Sequence, residues 1–134
     1  IMNEPNFIEG SALNSFGEKY NFEGKNFKSK MKYQIFGTTI NYLLENKILE
    51  IPDYIKIDVD GIEYLILEGG DRYLKNVKIK NLSIEINENF KEQYDNVLKI
   101  MYKNNFKVLH KKNNIKAQAS KSKHLNTFNY VFVR

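Results

Sequence analysis

The stretch that decides the fold is "PDYIKIDVDGIEYLILEGG", residues 52–70. Its first part, "YIKIDV" (54–59), is β-branched and almost continuously apolar, as expected of a central parallel strand covered on both faces. A turn is predicted at 60–61, and "IEYLILE" (62–68) then predicts a short helix. The glycine pair at 69–70 would end that helix, because glycine readily takes the left-handed conformation that helix ends favour.

The neighbouring segments continue this alternation of strands and helices. "GTTINYLLENK" (37–47) predicts a helix with Thr38 or Thr39 as its N-cap. "KNLSIEI" (80–86) predicts a second buried strand, and "NENFKEQYDNVLKIMYKNN" (87–105) is the clearest amphipathic helix in the chain. Parallel strands need helical crossovers, so the pattern predicts an α/β fold with parallel strands.

The remaining segments set the predicted limits of this core. "FKVLH" (106–110) and "TFNYVFV" (127–133) have no helix between them and are predicted to form an antiparallel pair at one side of the sheet. "KYQIF" (32–36) is a further candidate strand. Residues 1–31 show no sustained period and are predicted to be loops with at most one short element. The chain is therefore predicted to be one domain, with its α/β core in residues 32–134.

Composition excludes several classes of protein. The 134 residues include no cysteine, which excludes disulfides and thiolate metal sites and suits a reducing cytoplasm. No apolar run approaches the ~20 residues that span a bilayer. Residues 1–70 carry 7 Lys against 11 Asp and Glu, whereas residues 71–134 carry 14 Lys and Arg against 5 acids. Nearly all of the basic residues are Lys rather than Arg, which argues against nucleic-acid recognition.

Two acids are predicted at the same edge of the sheet. Asp58 lies near the end of the first buried strand and Glu85 near the end of the second. Ligands of open α/β sheets bind at the carboxyl ends of the strands, and neighbouring strands lie ~4.8 Å apart. We therefore predict that Asp58 and Glu85 serve one site as its catalytic residues. Lys56, within the apolar strand, is predicted to pair with one of the nearby acids.

Asp60 and Glu63 allow two interpretations. Their spacing is that of a capping box, in which Asp60 would cap the helix and Glu63 would reach back to the cap residue's own N–H. They could equally contact a substrate. Asp58, Asp60 and Gly61 also match part of a calcium-binding EF-hand loop, but Lys56 and Leu67 stand at two of its ligand positions. Asp58 and Glu85 could together hold Mg²⁺ or Ca²⁺, but nothing else in the sequence supports this, and no metal site is predicted.

Four stretches of the sequence resemble a known family. "YIKIDVDGIEYLILEGG" (54–70) and "LKNVKIKNLSIEIN" (74–87) resemble the signature of the FkbM-type S-adenosylmethionine-dependent methyltransferases. "GSALNSFGE" (10–18) and "FGTTINYLL" (36–44) resemble the segments that precede it. The resemblance covers roughly residues 10–100. It implies a Rossmann-like methyltransferase fold that ends in an antiparallel pair, and O-methyl transfer to a sugar, a polyketide or another small hydroxyl acceptor.

The sequence departs from this family in its cofactor site. Members hold S-adenosylmethionine with a glycine-rich loop after the first strand and an acid at the end of the second. The chain has no G-x-G-x-x-G pattern or near variant, and it begins with Ile1 before Met2. The resemblance therefore implies the carboxyl-terminal part of such an enzyme, with weak or absent cofactor binding by this chain alone. The chain would then pair with further copies of itself in a homo-oligomer, or with a missing amino-terminal half.

The sequence leaves three functions open. As a methyltransferase, the chain would use Asp58 to accept the proton of the acceptor hydroxyl, with Glu85 as the second candidate. The lysine-rich run at 106–126, which contains no acid, is the basis of the alternative, a phosphate- or nucleic-acid-binding module. The third possibility is a non-catalytic subunit that pairs with another chain, because an exposed half-sheet would need a partner.

Overall fold

The computed structural model describes residues 1–6, 14–113 and 125–134. These residues form a small antiparallel sheet and a larger mixed sheet with helices, which is an α/β architecture. The elements are, in chain order, β1 (Met2–Glu4), β2 (Ser15–Phe16), β3 (Met31–Tyr33), α1 (Ile40–Glu45), β4 (Tyr54–Ile57), α2 (Glu63–Glu68), β5 (Asn81–Asn87), α3 (Lys91–Lys103), β6 (Lys107–Asn113) and β7 (Thr127–Val133).

The larger sheet has the strand order β4-β5-β7-β6. β4 runs parallel to β5, with Ile57 opposite Ile84. β7 is antiparallel to both of its neighbours, β5 and β6. The predicted antiparallel pairing of the last two strands is therefore confirmed, and β4 with β5 is the parallel pair among the described strands. Most of the lysine-rich run falls on 114–124, outside the described residues.

β4 lies at the edge of this sheet, so the prediction of a central strand covered on both faces is wrong for the described chain. Tyr54 is 66% exposed, and Lys56 is also exposed. The central, buried place belongs instead to β5, where Leu82, Ile84 and Ile86 are fully buried. A continuous apolar run indicates that a strand is buried, but it does not show whether the strand lies at the centre or at the edge of the sheet.

The core lies between the larger sheet and the two helices α2 and α3. Leu67 of α2 and Val97 and Met101 of α3 have no exposed surface, and they belong to the same cluster as Leu82 and Phe132 of the sheet. Burying each of these side chains contributes about 1.5–3 kcal/mol. The amphipathic period predicted for residues 87–105 is thus confirmed as the face of α3 that packs on the sheet.

The first thirty residues contain more structure than the sequence predicts. β1 pairs with both β2 and β3 in a three-stranded antiparallel sheet. The candidate strand at 32–36 is only partly correct, because β3 ends at Tyr33 and belongs to this small sheet. These strands are too short to show a period, and Asn3, Glu4 and Ser15 are buried polar residues within them. Tyr33 helps to satisfy this interior by donating its hydroxyl proton to Glu4 over 2.5 Å.

The glycine pair after α2 has a different purpose from the predicted one. Neither glycine has a positive φ, so the prediction of a left-handed helix end is wrong. A Cβ at Gly70 would lie 3.2 Å from Ile40, and one at Gly69 would lie 3.3 Å from Thr39. The missing side chains let α1 approach closely. Thr39 is the N-cap of α1, as predicted, and accepts the N–H of Tyr42 over 3.1 Å.

Arg134 fastens the turn after α2 to the end of α3. Its guanidinium donates to the carbonyls of residues 74–76 and of Asn104, and it lies 4.3 Å from the ring centre of Phe106. We expect Arg134→Lys to lower the free energy of unfolding by about 1–2 kcal/mol, because an ammonium group cannot fork between these carbonyls. Urea denaturation followed by circular dichroism measures this loss.

The matched control is Arg72→Lys. Arg72 forms an exposed ion pair with Glu45, and exposed pairs contribute little. We expect this substitution to change the free energy of unfolding by less than about 0.5 kcal/mol. Equal losses in the two variants would contradict the role of Arg134.

Candidate active site

Asp58 and Glu85 lie side by side at the carboxyl ends of β4 and β5. The parallel register pairs Ile57 with Ile84, so the next residue of each strand falls at the same level. The two carboxyl groups are close enough for Asp58 to influence the ionisation of Glu85. Burial, and then the charge of Asp58, raise the pKa of Glu85. The structure thus brings together the two acids that the sequence placed at one edge, whereas their catalytic role stays a prediction.

Lys56 provides the positive charge beside this pair. Its ammonium group forms an ion pair with Asp58, and both side chains are largely exposed. The predicted pairing of Lys56 with a nearby acid is confirmed, although Lys56 is not buried. An exposed pair of this kind adds little stability, but it offsets part of the negative charge where the two acids meet.

Asp60 lies in the turn between β4 and α2, not at the cap of the helix. Asp60 has φ +49° and Gly61 has φ +106°, so both residues are in left-handed conformations. The helix begins at Glu63, with Ile62 as its N-cap and without a side-chain cap. The capping-box prediction is therefore wrong, because the left-handed turn delays the start of the helix.

Glu63 is a buried carboxyl group that holds this turn from inside. It is 2% exposed and accepts the N–H of Val59 over 3.2 Å and that of Gly61 over 3.1 Å. The side-chain amide of Gln93 donates to the same carboxyl group. Burial is the main cause that raises the pKa of Glu63 to about 7, and the charge of Asp60 raises it further.

Gln93 is a site residue that the sequence prediction missed. It lies on α3, is 1% exposed and reaches Glu63 across the interface between the two helices. The available signal was its position, three residues after Phe90 and four before Val97 on the apolar face. A polar residue on such a face needs a partner when it is buried.

An open groove of about 520 Å³ runs beside the carboxyl end of β4. Asp58 and Asp60 both line it. The groove's apolar lining was not foreseen, because part of it comes from the amino-terminal segment, which has no readable period. The apolar members of the lining include Phe16, Ile35, Phe36, Val59, Ile62 and Ile66.

A family model described as the methyltransferase FkbM domain matches residues 8–108. The chain belongs to the FkbM methyltransferase family. The match includes Asp58, Asp60, Glu63 and Glu85, so the acids described above lie within the family's own domain. A search of curated proteins and a search of solved structures each found no match.

A metal-ligand cluster and a membrane-spanning helix are both absent from the described part of this FkbM-family chain. Over residues 1–6, 14–113 and 125–134, three or more His, Asp or Glu side chains are nowhere grouped so as to hold a metal ion. No helix within those same ranges is long and apolar enough to cross a membrane.

The described residues do not fit the S-adenosylmethionine that the family suggests as cofactor. A glycine-rich cradle needs open space beside its glycines at the start of a helix. However, an added Cβ would meet this chain's own atoms at 2.5–3.3 Å at five of the described glycines: Gly24, Gly37, Gly61, Gly69 and Gly70. Gly17 faces open space, but it follows β2 and no helix begins there.

The buried Glu63 is expected to make the stability depend on pH. Its pKa is 4.5 ordinarily and about 7 in the folded chain, so folding strengthens proton binding. The resulting stabilisation is complete below pH 4.5 and is lost as the pH rises to 7. We expect a loss of about 3 kcal/mol in the free energy of unfolding over this range. Urea denaturation at a series of pH values measures it.

Glu63→Gln isolates this contribution because glutamine cannot ionise. The difference between wild type and this variant should vary across the range, while Glu68→Gln, an exposed change on the same helix, should follow wild type. The assignment would be wrong if Glu63→Gln kept the full pH dependence of the wild-type protein.

Proposed function

We propose that this chain acts in S-adenosylmethionine-dependent O-methyl transfer to a hydroxyl group of a sugar or another small acceptor. The observation that carries the proposal is the Asp58–Glu85 pair, at the carboxyl end of β4 where the apolar groove opens. Membership of the FkbM family supports methyl transfer as the reaction class. The chain's contribution is the acceptor side of the site.

Asp58 is the proposed general base. Its side chain is 46% exposed and lines the groove, so an acceptor hydroxyl bound there can place its proton against the carboxylate. Loss of that proton makes the acceptor oxygen a better nucleophile. Glu85 is half-buried beside Asp58 and is the second group that can take up the transferred proton. General-base catalysis of this kind typically contributes 10²–10⁴-fold to the rate, as an order of magnitude.

The charge of the groove favours an uncharged acceptor. Asp58 and Asp60 both line it, and Lys56 is paired with the first of them. A phosphate group placed there would be repelled by about 1 kcal/mol or more for each nearby carboxylate. A neutral sugar or alcohol therefore fits better than a phosphorylated acceptor, and the apolar wall suits the less polar face of such a molecule.

Asp60 and Glu63 receive different parts in this proposal. Asp60 lines the groove and can hydrogen-bond to a second hydroxyl of the acceptor. Glu63 is buried and cannot touch the acceptor directly. Because α2 begins at Glu63 without a side-chain cap, we propose contact with the acceptor rather than capping for Asp60.

We further propose that residues 1–134 form the carboxyl-terminal part of one Rossmann-like methyltransferase domain. The order β4-β5-β7-β6 with an antiparallel β7 supports this, and the outer edge of β4 offers backbone groups to a further strand. An amino-terminal half or a second copy would supply that strand.

Because no glycine cradle forms among residues 1–6, 14–113 and 125–134, we expect weak cofactor binding by chain 1–134 alone. We expect isothermal titration calorimetry of chain 1–134 with S-adenosylmethionine to give a dissociation constant above about 1 mM, because few contacts are available. S-adenosylhomocysteine, which lacks the methyl group, should bind no better. A micromolar dissociation constant for either compound would show that the described residues hold the cofactor after all.

Methyl transfer is tested with the protein as the cell makes it. The protein is incubated with methyl-labelled S-adenosylmethionine and a panel of neutral sugars, alcohols and sugar phosphates. We expect label in a neutral hydroxyl compound and little or none in the phosphates. Label found only in amines or in nucleic acid would contradict the proposal, and so would salt-sensitive binding to polyanions without any methyl transfer.

A further inference from the structure

A very small cavity lies behind the two paired acids. Its volume is about 10 Å³, and its lining includes Asp60, Glu63, Glu85, Gln93 and Thr127. A space of this size holds about one water molecule, and a buried water normally makes two to four hydrogen bonds. The lining is polar enough to supply them. The cavity lies between Glu63, which holds the turn, and Glu85, which lies beside Asp58.

Gln93 has one satisfied and one unsatisfied side-chain atom at this cavity. Its Nε2 donates to Glu63, whereas its buried Oε1 has no hydrogen-bond partner among the described residues. Thr127 Oγ1 is also buried without a partner in the described chain. A buried carbonyl left unpaired costs about 1–3 kcal/mol. A water molecule that donates to Gln93 Oε1 would remove that cost.

We propose that one water molecule in this cavity joins Gln93 to Glu85, so that Glu63, Gln93 and the water form a positioning unit for the Asp58–Glu85 pair. The positioning role of this unit rests on the proposed function, in which the Asp58–Glu85 pair forms the acceptor site. The hydrogen-bond connection itself does not depend on it. None of the three members touches the acceptor.

The unit has two hydrogen-bond arrangements. When Glu63 is ionised, it accepts from the turn and from the Gln93 amide, which leaves Gln93 Oε1 for the water. When Glu63 is protonated, it can donate to Gln93 Oε1 after the amide turns over, and the water then meets an N–H instead. The water then accepts from Gln93 rather than donating to it, so the orientation of the water relative to Glu85 must also change. The pKa of about 7 for Glu63 places both arrangements near neutral pH.

The charged groups around Glu63 influence how readily it ionises. Asp60 faces it from the turn and Glu85 from β5, while α3 contributes the uncharged Gln93 and β7 the uncharged Thr127. Farther out, Asp58 of β4 is paired with Lys56. The charge of Asp60 disfavours ionisation of Glu63. Through the proposed water, ionisation of Glu63 must also change the pKa of Glu85.

Carbon-13 NMR of the Glu85 carboxyl carbon tests the connection in the resting protein. Between about pH 4 and pH 9, we expect two inflections in the wild-type titration curve, the second at the pH where Glu63 itself titrates. Glu63→Gln should lose the second inflection, whereas Glu68→Gln, the matched exposed change on α2, should keep it. Superimposable Glu85 curves for wild type and Glu63→Gln would overturn the proposal.

Gln93→Leu separates the hydrogen-bonded route from a through-space charge effect. Leucine fills a similar volume but cannot bond to Glu63 or to the water, so the second inflection should shrink while Glu63 still titrates. Gln34→Leu, an exposed change, should have no effect. An unchanged second inflection in Gln93→Leu would remove Gln93 and the water from the unit. Circular dichroism checks that each variant is folded.

A direct search for the water completes the test. Nuclear Overhauser effects between a long-lived water and the Gln93 side-chain amide protons are expected in wild type and should be lost in Gln93→Leu. Their absence from wild type would overturn the proposal. These measurements need neither cofactor nor acceptor. A protein that shows the coupling but no methyl transfer would therefore lose the proposed function and keep the connection.

Discussion

Asp58→Asn is expected to lower the rate of methyl transfer by about 10²–10⁴-fold. Asparagine has nearly the same shape but cannot accept the hydroxyl proton, so the acceptor should still bind while its oxygen stays protonated. The expected pattern is a large fall in kcat with a small change in KM. Initial rates with labelled S-adenosylmethionine, at saturating cofactor, measure both constants.

The chain offers a matched control for this substitution. Asp53 lies just before the other end of β4, where it forms an ion pair with Lys80 at 2.8 Å. Asp53→Asn makes the same chemical change at the amino end of β4, away from the groove. We therefore expect turnover within about two-fold of wild type, as for an exposed surface change. Unchanged turnover in Asp58→Asn, with the cofactor bound normally, would remove Asp58 from the mechanism.

Gly61→Ala is expected to cost about 3 kcal/mol of unfolding free energy and to displace the turn that carries Asp60. Gly61 has φ +106°, a conformation that alanine rarely adopts. The new methyl group would also lie 3.1 Å from Cα of Phe22 and 3.3 Å from the carbonyl oxygen of Asn21. Both neighbours are backbone atoms, so the segment at 21–22 would have to move. Urea denaturation measures the loss.

Gly17→Ala separates the two causes of that loss. Gly17 also has a positive φ, +80°, but nothing lies within 4 Å of its Cβ position. We expect this variant to lose only about 1 kcal/mol, which is the cost of the backbone conformation alone. Equal losses in the two variants would mean that the contact between Gly61 and the amino-terminal segment does not matter.

The local periodicity of the sequence predicted most of the α/β core. Residues 54–57, 81–87 and 127–133 are strands, and 91–103 is the amphipathic helix, because side-chain spacing within one element reports directly on burial. The edge position of β4 could not be predicted in this way, since the same apolar run suits a central or an outer strand. The amino-terminal sheet was missed because its strands are too short to show a period.

The candidate site was predicted in part for the same reasons. The proximity of Asp58 and Glu85 was predictable because each acid lies near the carboxyl end of its strand and neighbouring strands are ~4.8 Å apart. The register that puts them at one level is visible only in the structure. The spacing of Asp60 and Glu63 suggested a capping box because spacing carries no information on the left-handed turn between them. Gln93 and the groove depend on contacts between distant segments, and only the tertiary structure brings those together.

The proposed function requires that an acceptor binds beside Asp58 at the carboxyl end of β4. It is tested most directly by titrating the isotope-labelled protein with a hydroxyl acceptor found in the transfer assay and recording amide chemical shifts. We expect the largest changes at residues 58–61 and 35–38, with little change along β6 at 107–113. Changes confined to β6, with none at 58–61, would contradict it and favour the lysine-rich binding surface.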